Sequence, residues 1–186
     1  MKWHSHKLAT GAILYAVTGN FIITGMGVLG STFPDFIEGK PPKQGTPAYQ
    51  QWRKHHRQGS HWLLPYLLVT VFGFYYLHTF GIVTISWSKL LSMLSHWQSN
   101  IDVLLIHFIS CFTLGCVLHI LEDSICGRVP LLLRQPRLGL KLFRVGSAWE
   151  YLLVFPTSVF LIIWRVAYEY NWLEYLKAPA WPNWFF

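Results

Sequence analysis

Charge is what this sequence has least of. Its 186 residues hold 8 Asp and Glu against 15 Lys and Arg, and charged residues make up only 12% of the chain. Soluble domains carry about twice that share, so the low value, beside 53% hydrophobic and 17% aromatic residues, excludes an ordinary water-soluble protein. Cysteine is almost as scarce. Three occur and none pair as CxxC, which excludes a disulfide scaffold and a cysteine-based structural zinc finger. Cys111 and Cys116 read as small apolar filler within an apolar run, and Cys126 is not taken as a ligand. There is no phosphate-binding glycine loop, no nucleophile-elbow motif and no internal repeat. A cleavable leader is not evident either, because His4 and His6 interrupt what would be its basic start.

What the sequence does have is apolar blocks. Three of them, 62–86, 101–121 and 151–168, approach or exceed the ~20 residues that cross a bilayer. A fourth, "LATGAILYAVTGNFIITGMGVLGSTF" at 8–33, is broken by Thr18-Gly19-Asn20 and then by Gly25, Gly27 and Gly30. It reads as two short helices folded back on each other, or as one crossing helix. Charge bias separates the two. In the hairpin reading only Lys89, Arg165 and Lys177 of the 15 Lys and Arg fall on the far face. A crossing 8–33 would move Lys2 and Lys7 there as well. The positive-inside rule favours the hairpin, with the basic face cytoplasmic.

The expected fold is therefore an all-α membrane protein, a short N-terminal re-entrant helical hairpin plus three transmembrane helices, with four transmembrane helices as the alternative. It forms one membrane-embedded domain over 1–186. The hairpin takes 1–33, a cytoplasmic segment 34–60, the site-bearing helices 61–132, a basic loop 133–150, and the last crossing helix with an aromatic tail 151–186.

This topology collects polar groups at one membrane surface. His6 precedes the hairpin and Asp35 and Glu38 follow it in "FPDFIEG". His56 and His61 bracket "HRQGSH", and His119, Glu122 and Asp123 close the 101–121 block. His119 and Asp123 are i and i+4, so they share a helix face. His56 and His61 are i and i+5, about 140° apart on a continuous helix. Gly59 offers a turn between them, and Ser60 an N-cap for the helix that follows. A carboxylate at the end of an apolar run needs a partner. Histidine and carboxylate ligands without cysteine suit a catalytic divalent metal: zinc first, with manganese or iron as alternatives. His56, His119 and Asp123 are expected to share one ion. His55, His78, His96 and His107 are left as ordinary polar residues.

"SHKLATG" at 5–11, "FPDFIEG" at 33–39, "HRQGSH" at 56–61 and "GCVLHILEDSICGRVPLL" at 115–132 resemble, in order, the motifs of the YdjM family. These are bacterial inner-membrane proteins described as metal-dependent hydrolases and also labelled LexA-binding. The resemblance implies His6, Asp35, His56, His61, His119 and Asp123 as metal-site residues. It departs from the family's PDxD pattern at Ile37, with Glu38 one place further on. The order of residues also looks like the helical zinc-dependent phospholipase C and single-strand nuclease group. Carried over, Asp123 would bridge two metals, with Asp35, one of His56 and His61, and His119 on one and His6 on the other. Nothing after His119 is a histidine, so one or two ions are expected rather than three.

The chemistry that follows is hydrolysis. A metal with an open position activates water and polarises a phosphoryl or acyl oxygen. Arg57 would stabilise developing negative charge, and Asp35, Glu38 or Glu122 would orient the water or take its proton. A site at the headgroup level points to a phospholipid or lipid-linked phosphoester, a phosphoester ahead of a carboxylic ester. The basic stretch "RQPRLGLKLFR" at 134–144 suits anionic headgroups better than nucleic acid. The tail at 168–186, rich in Trp and Tyr, reads as an interfacial anchor, with homo-oligomer contacts as its alternative use. The competing function is a membrane regulatory or defence component that binds a soluble partner around a structural metal site.

Overall fold

The computed structural model describes residues 1–82 and 85–172, so most of the aromatic tail lies outside the described residues. Among the described residues the regular structure is helical, apart from one isolated antiparallel bridge between Val129 and Leu138. The helices are α1 (Trp3–Thr18), α2 (Phe21–Gly30), α3 (Phe33–Glu38), α4 (Pro47–His55), α5 (Leu63–Thr79), α6 (Trp87–Ser95), α7 (Trp97–Cys126) and α8 (Ala148–Glu169).

The 8–33 stretch is two helices. Gly19 turns the chain at φ 61°, a left-handed conformation that favours glycine. Asn20 then caps α2, its side-chain oxygen accepting from the Ile22 and Ile23 amides at 2.9 and 3.2 Å. Its amide group also donates to the Ile85 carbonyl at 3.1 Å, which ties the turn to the chain beyond α5. Gly11 faces Val28 and Gly27 faces Leu14, so α1 and α2 run antiparallel.

Small residues set how closely the helices approach. A Cβ on Gly115 of α7 would lie 1.9 Å from the Gly27 carbonyl oxygen of α2. One on Gly30 would lie 1.8 Å from the Phe112 oxygen. In apolar surroundings helices gain nothing from expelling water between them, and close backbone approach of this kind supplies the contact instead. On its other sides α7 packs against α5, and α1 packs against α8. Leu63, Val117, Ile120 and Val129 form an apolar cluster between α5 and α7.

Two helices, α7 with 30 residues and α8 with 22, are long and apolar enough to cross a membrane. α5 is apolar but has 17 residues, ending at Thr79 rather than continuing to 86. Gly81, at φ 67°, turns the chain there. α6 was not anticipated; Ser86 caps it, accepting from the Lys89 amide at 3.2 Å, and it exposes Trp87, Leu91 and Leu94. The basic 134–144 stretch is irregular rather than helical, with bends and a left-handed Lys141. Its backbone bonds back to the end of α7, Leu140 N to Ser124 O at 2.7 Å and Leu142 N to Ile125 O at 2.8 Å.

The α2–α7 approach generates a prediction. Gly115→Ala forces the two backbones apart and should lower stability in detergent by about 1–3 kcal/mol, the usual cost of overpacking. Gly25→Ala meets nothing within 4 Å and should be neutral or stabilising. Equal unfolding midpoints for the two variants would show that the contact does not set the packing.

Candidate metal centre

The site lies where four separate pieces of chain meet. α3 brings Asp35 and Glu38, the turn after α4 brings His56 to His61, the last turns of α7 bring His119, Glu122 and Asp123, and α1 brings His6. Asp35, His61, His119 and Asp123 each offer a ligand atom within 4.8 Å of the others, so this group could hold a metal ion. The Nε2 atoms of His61 and His119 lie 3.1 Å apart. Asp35 Oδ1 and Asp123 Oδ2 each lie 3.3 Å from His61 Nε2 and 3.7 Å from His119 Nε2.

The other nitrogen of each ring explains why these atoms face inward. His119 Nδ1 donates to the Ser31 carbonyl at 2.6 Å, just past the end of α2. His61 Nδ1 donates to Glu38 Oε1 at 3.1 Å. An Nδ1–H held by an oxygen acceptor leaves Nε2 with a lone pair, the arrangement by which proteins prepare histidine for a metal. His6 repeats it, with Nδ1 on Glu122 Oε2 at 2.5 Å. Thr10, one turn along α1, donates to Glu122 Oε1 at 2.9 Å. His6 Nε2 and Asp123 Oδ2 are buried without a hydrogen-bond partner among the described residues. Unsatisfied buried nitrogen and carboxylate oxygen beside two converging imidazoles is a donor set that fits a divalent cation.

His6 adjoins the group of four, its Nε2 3.4 Å from Asp123 Oδ1 and its ring 3.8 Å from that of His119. His56 stands further out. Its Nδ1 pairs with Glu38 Oε2, its ring stacks on Trp52 at 4.2 Å, and it lies 5.9 Å from the His61 ring. The structure thus puts His61, rather than His56, beside His119 and Asp123, because Glu38 sits between the two histidines of "HRQGSH".

The turn itself differs from expectation. Its left-handed residue is Arg57, at φ 60°, and not Gly59. This conformation sends the Arg57 amide to Glu38 Oε1 at 2.7 Å and its Nη2 to Asp123 Oδ1 at 2.7 Å. Ser60 does not cap α5; its hydroxyl donates to Glu38 Oε1 at 2.6 Å. Glu38 therefore collects donors from His56, Arg57, Ser60 and His61. Burial raises its proton affinity, but bonds from His56, His61 and Ser60 outweigh this and hold it well below the usual carboxylate range. Asp35 moves the same way, burial being outweighed by His61 and the other nearby histidine. Burial pushes the His61 imidazolium down, yet Asp123, Asp35 and Glu38 together lift it to about 10. Without an ion that negative charge keeps a proton on Nε2 as well as on Nδ1, and a divalent cation would take the place of the Nε2 proton.

Two contributors carried no signal that the sequence reading used. The N-terminal ammonium of Met1 contacts Asp123 Oδ1. Glu150, in the first turn of α8, accepts from the Lys2 amide at 2.8 Å and the Gly146 amide at 2.6 Å. It pins the start of α1, and with it His6, to α8. A cleft of about 810 Å³ opens above the site, lined by Asp35, Glu38, His56 and Arg57, by the aromatics Trp3, Tyr49 and Trp52, and by Lys2, Lys40 and Arg144.

The helical bundle carries at one end a His/Asp cluster that could hold a metal ion, and two of its described helices are fit to cross a membrane. The chain belongs to the YdjM inner membrane protein family, whose model matches residues 1–182. No curated protein matches it. No solved structure matches either, so the likeness to the phospholipase C and nuclease group rests on the order of residues alone.

Elemental analysis tests the cluster. His61→Ala, His119→Ala and Asp123→Ala should each cut bound metal at least tenfold in purified protein. His78→Ala and His96→Ala should leave it unchanged. Glu38→Gln, which removes the charge that orients His61, should weaken metal affinity about 10–100-fold. Full metal content in His119→Ala would remove the cluster as the binding site.

Proposed function

We propose that the protein is a membrane-embedded metal-dependent hydrolase that cleaves a phospholipid or lipid-linked phosphoester at the headgroup level. The observation that carries this reading is that Asp35 belongs both to the His/Asp cluster and to the lining of the cationic cleft. A bound anion in that cleft would meet the site directly.

A divalent cation held by Asp35, His61, His119 and Asp123, zinc first, would supply Lewis acidity and an acidified water. His6 offers a place for a second ion across Asp123. The remaining roles belong to the chain. Arg57 keeps Asp123 aimed through Nη2 and also lines the cleft. Its guanidinium would take negative charge growing on a phosphoryl oxygen. Lys2, Lys40 and Arg144 draw the anionic headgroup in. Glu38 and Glu122 act by orienting His61 and His6, since their oxygens are already engaged. Asp35 is the carboxylate left to position the water.

The topology we infer is a re-entrant α1–α2 hairpin with α5, α7 and α8 crossing. The cation-lined cleft then faces the cytoplasm, in keeping with the positive-inside rule. Anionic headgroups would meet the 134–144 segment, where exposed Leu138, Leu140 and Leu142 lie among Arg134, Arg137, Lys141 and Arg144.

The test is release of phosphate or headgroup from lipid phosphoesters in mixed micelles. The wild-type protein should lose activity on chelation and regain it with zinc or manganese, and His61→Ala and Asp123→Asn should fall at least 100-fold. Arg57→Lys should lower kcat more than it raises KM. Stoichiometric metal with no cleavage of any lipid phosphoester, together with metal-dependent capture of a soluble protein by the basic loop, would replace this reading with the regulatory one.

A further inference from the structure

A second opening borders the site. A groove of about 290 Å³ runs between α1 and α8 and is closed by Glu122, Ile125, Leu142 and Phe143. Its walls are Ala9 and Ile13 of α1 and Leu153, Val154, Thr157, Ser158 and Leu161 of α8. Met1 lines both this groove and the cationic cleft, so the two share a wall. Glu122, at the groove's inner end, holds His6 at 2.5 Å.

We propose that this groove is the subsite for one hydrocarbon chain of an amphiphilic substrate whose anionic head occupies the cleft. Three observations select that occupant. First, the lining is apolar except for Glu122, Thr157 and Ser158, and Glu122 is already engaged by His6 and Thr10. Second, the groove follows the helix axes away from the site. Lys2 meets Glu150 at one end of the α1–α8 pair, and Tyr15 meets Glu169 at the other, so the helices run in parallel. Most of the α8 surface is open, with Leu152, Phe155, Phe160 and Ile163 exposed, as a helix set against lipid would be. Third, Met1 forms part of both linings, so a tail in the groove and an anionic head in the cleft would belong to one molecule.

The assignment rests on the hydrolase reading only for the identity of the head. It implies entry from the side, tail first along α8, with Met1 at the junction between apolar and cationic walls. It also implies that a free headgroup phosphate is a poor ligand, because half of its recognition lies in the tail.

The test uses metal-depleted protein, so it does not depend on turnover. The probe is phosphatidic acid carrying a diazirine in its acyl chain, in nanodiscs of dimyristoyl phosphatidylcholine, with labelled peptides mapped after irradiation. Label should concentrate on α1 around Ala9–Ile13 and on α8 around Val154–Leu161. Thr157→Trp, which fills the groove, should reduce it at least fivefold, whereas Leu152→Trp, on the outer face of α8, should not. Should Thr157→Trp fail to fold, competition decides instead: dodecyl phosphate should suppress labelling and inorganic phosphate at the same concentration should not. Label spread evenly over the outer faces of α5 and α8, or insensitivity to dodecyl phosphate, would overturn the subsite. Focused labelling without hydrolysis of any lipid in the activity assay would overturn the enzyme reading and leave the groove. Equal turnover of phosphatidic acid and glycerol phosphate would do the reverse.

Discussion

The buried carboxylate of Asp123 is the constraint around which the molecule is organised. It has no exposed surface, and a charge so placed is costly unless it is compensated. Its compensation comes from every direction. Arg57 and the Met1 ammonium reach Oδ1, while His61 approaches Oδ2 and His6 lies alongside. These groups belong to α1 and the residues before it and to the turn after α4, while Asp123 is on α7, so satisfying one charge draws distant stretches of chain to the same point. Several positive groups thus share Asp123, and a divalent cation held by the cluster would compete with them.

Around it the polar groups form two layers. The inner layer is the Nε2 atoms and the oxygens of Asp35 and Asp123. The outer layer is Ser31 O, Glu38 and Glu122, each gripping the far side of a histidine, with Thr10 holding Glu122 from behind. The outer layer gives the inner one a single direction. Rigidity here comes from hydrogen bonds at a helix end, where Ser31 follows α2, and from small-residue contacts that hold α2 against α7. A shift of α2 along α7 would carry the Ser31 carbonyl away from His119.

Much of this was legible in the residues. The all-helical character follows from uninterrupted apolar blocks, and the break in 8–33 follows from Gly19-Asn20, since a glycine that adopts positive φ and an asparagine that caps are local signals. The i, i+4 pairing of His119 and Asp123 was readable for the same reason. Which histidine of "HRQGSH" turns inward was not. Spacing treats His56 and His61 alike, and the choice is made by Glu38, 18 residues earlier than His56, with Arg57 adopting a conformation that non-glycine residues rarely take. The roles of Glu150 and the Ser31 carbonyl were likewise hidden, because both are long-range contacts, and a backbone oxygen has no sequence signature. The end of α5 at Thr79 and the presence of α6 were blurred by apolar composition continuing through the turn at Gly81.

The lengths of the helices have a consequence for the surrounding bilayer. α5, with 17 residues, rises ~25 Å, short of a hydrocarbon layer ~30 Å thick. α7, with 30 residues, exceeds it at ~45 Å. Embedded as proposed, one flank of the protein would be too short for the membrane and its central helix too long. Lipid beside the short flank must compress or splay, at a modest cost for each ångström of mismatch. Chains there would be more disordered and their ester and phosphate groups carried deeper, so the protein would prepare its own neighbourhood by deforming it. Membranes of different thickness would then present the same headgroups at different heights relative to Asp123.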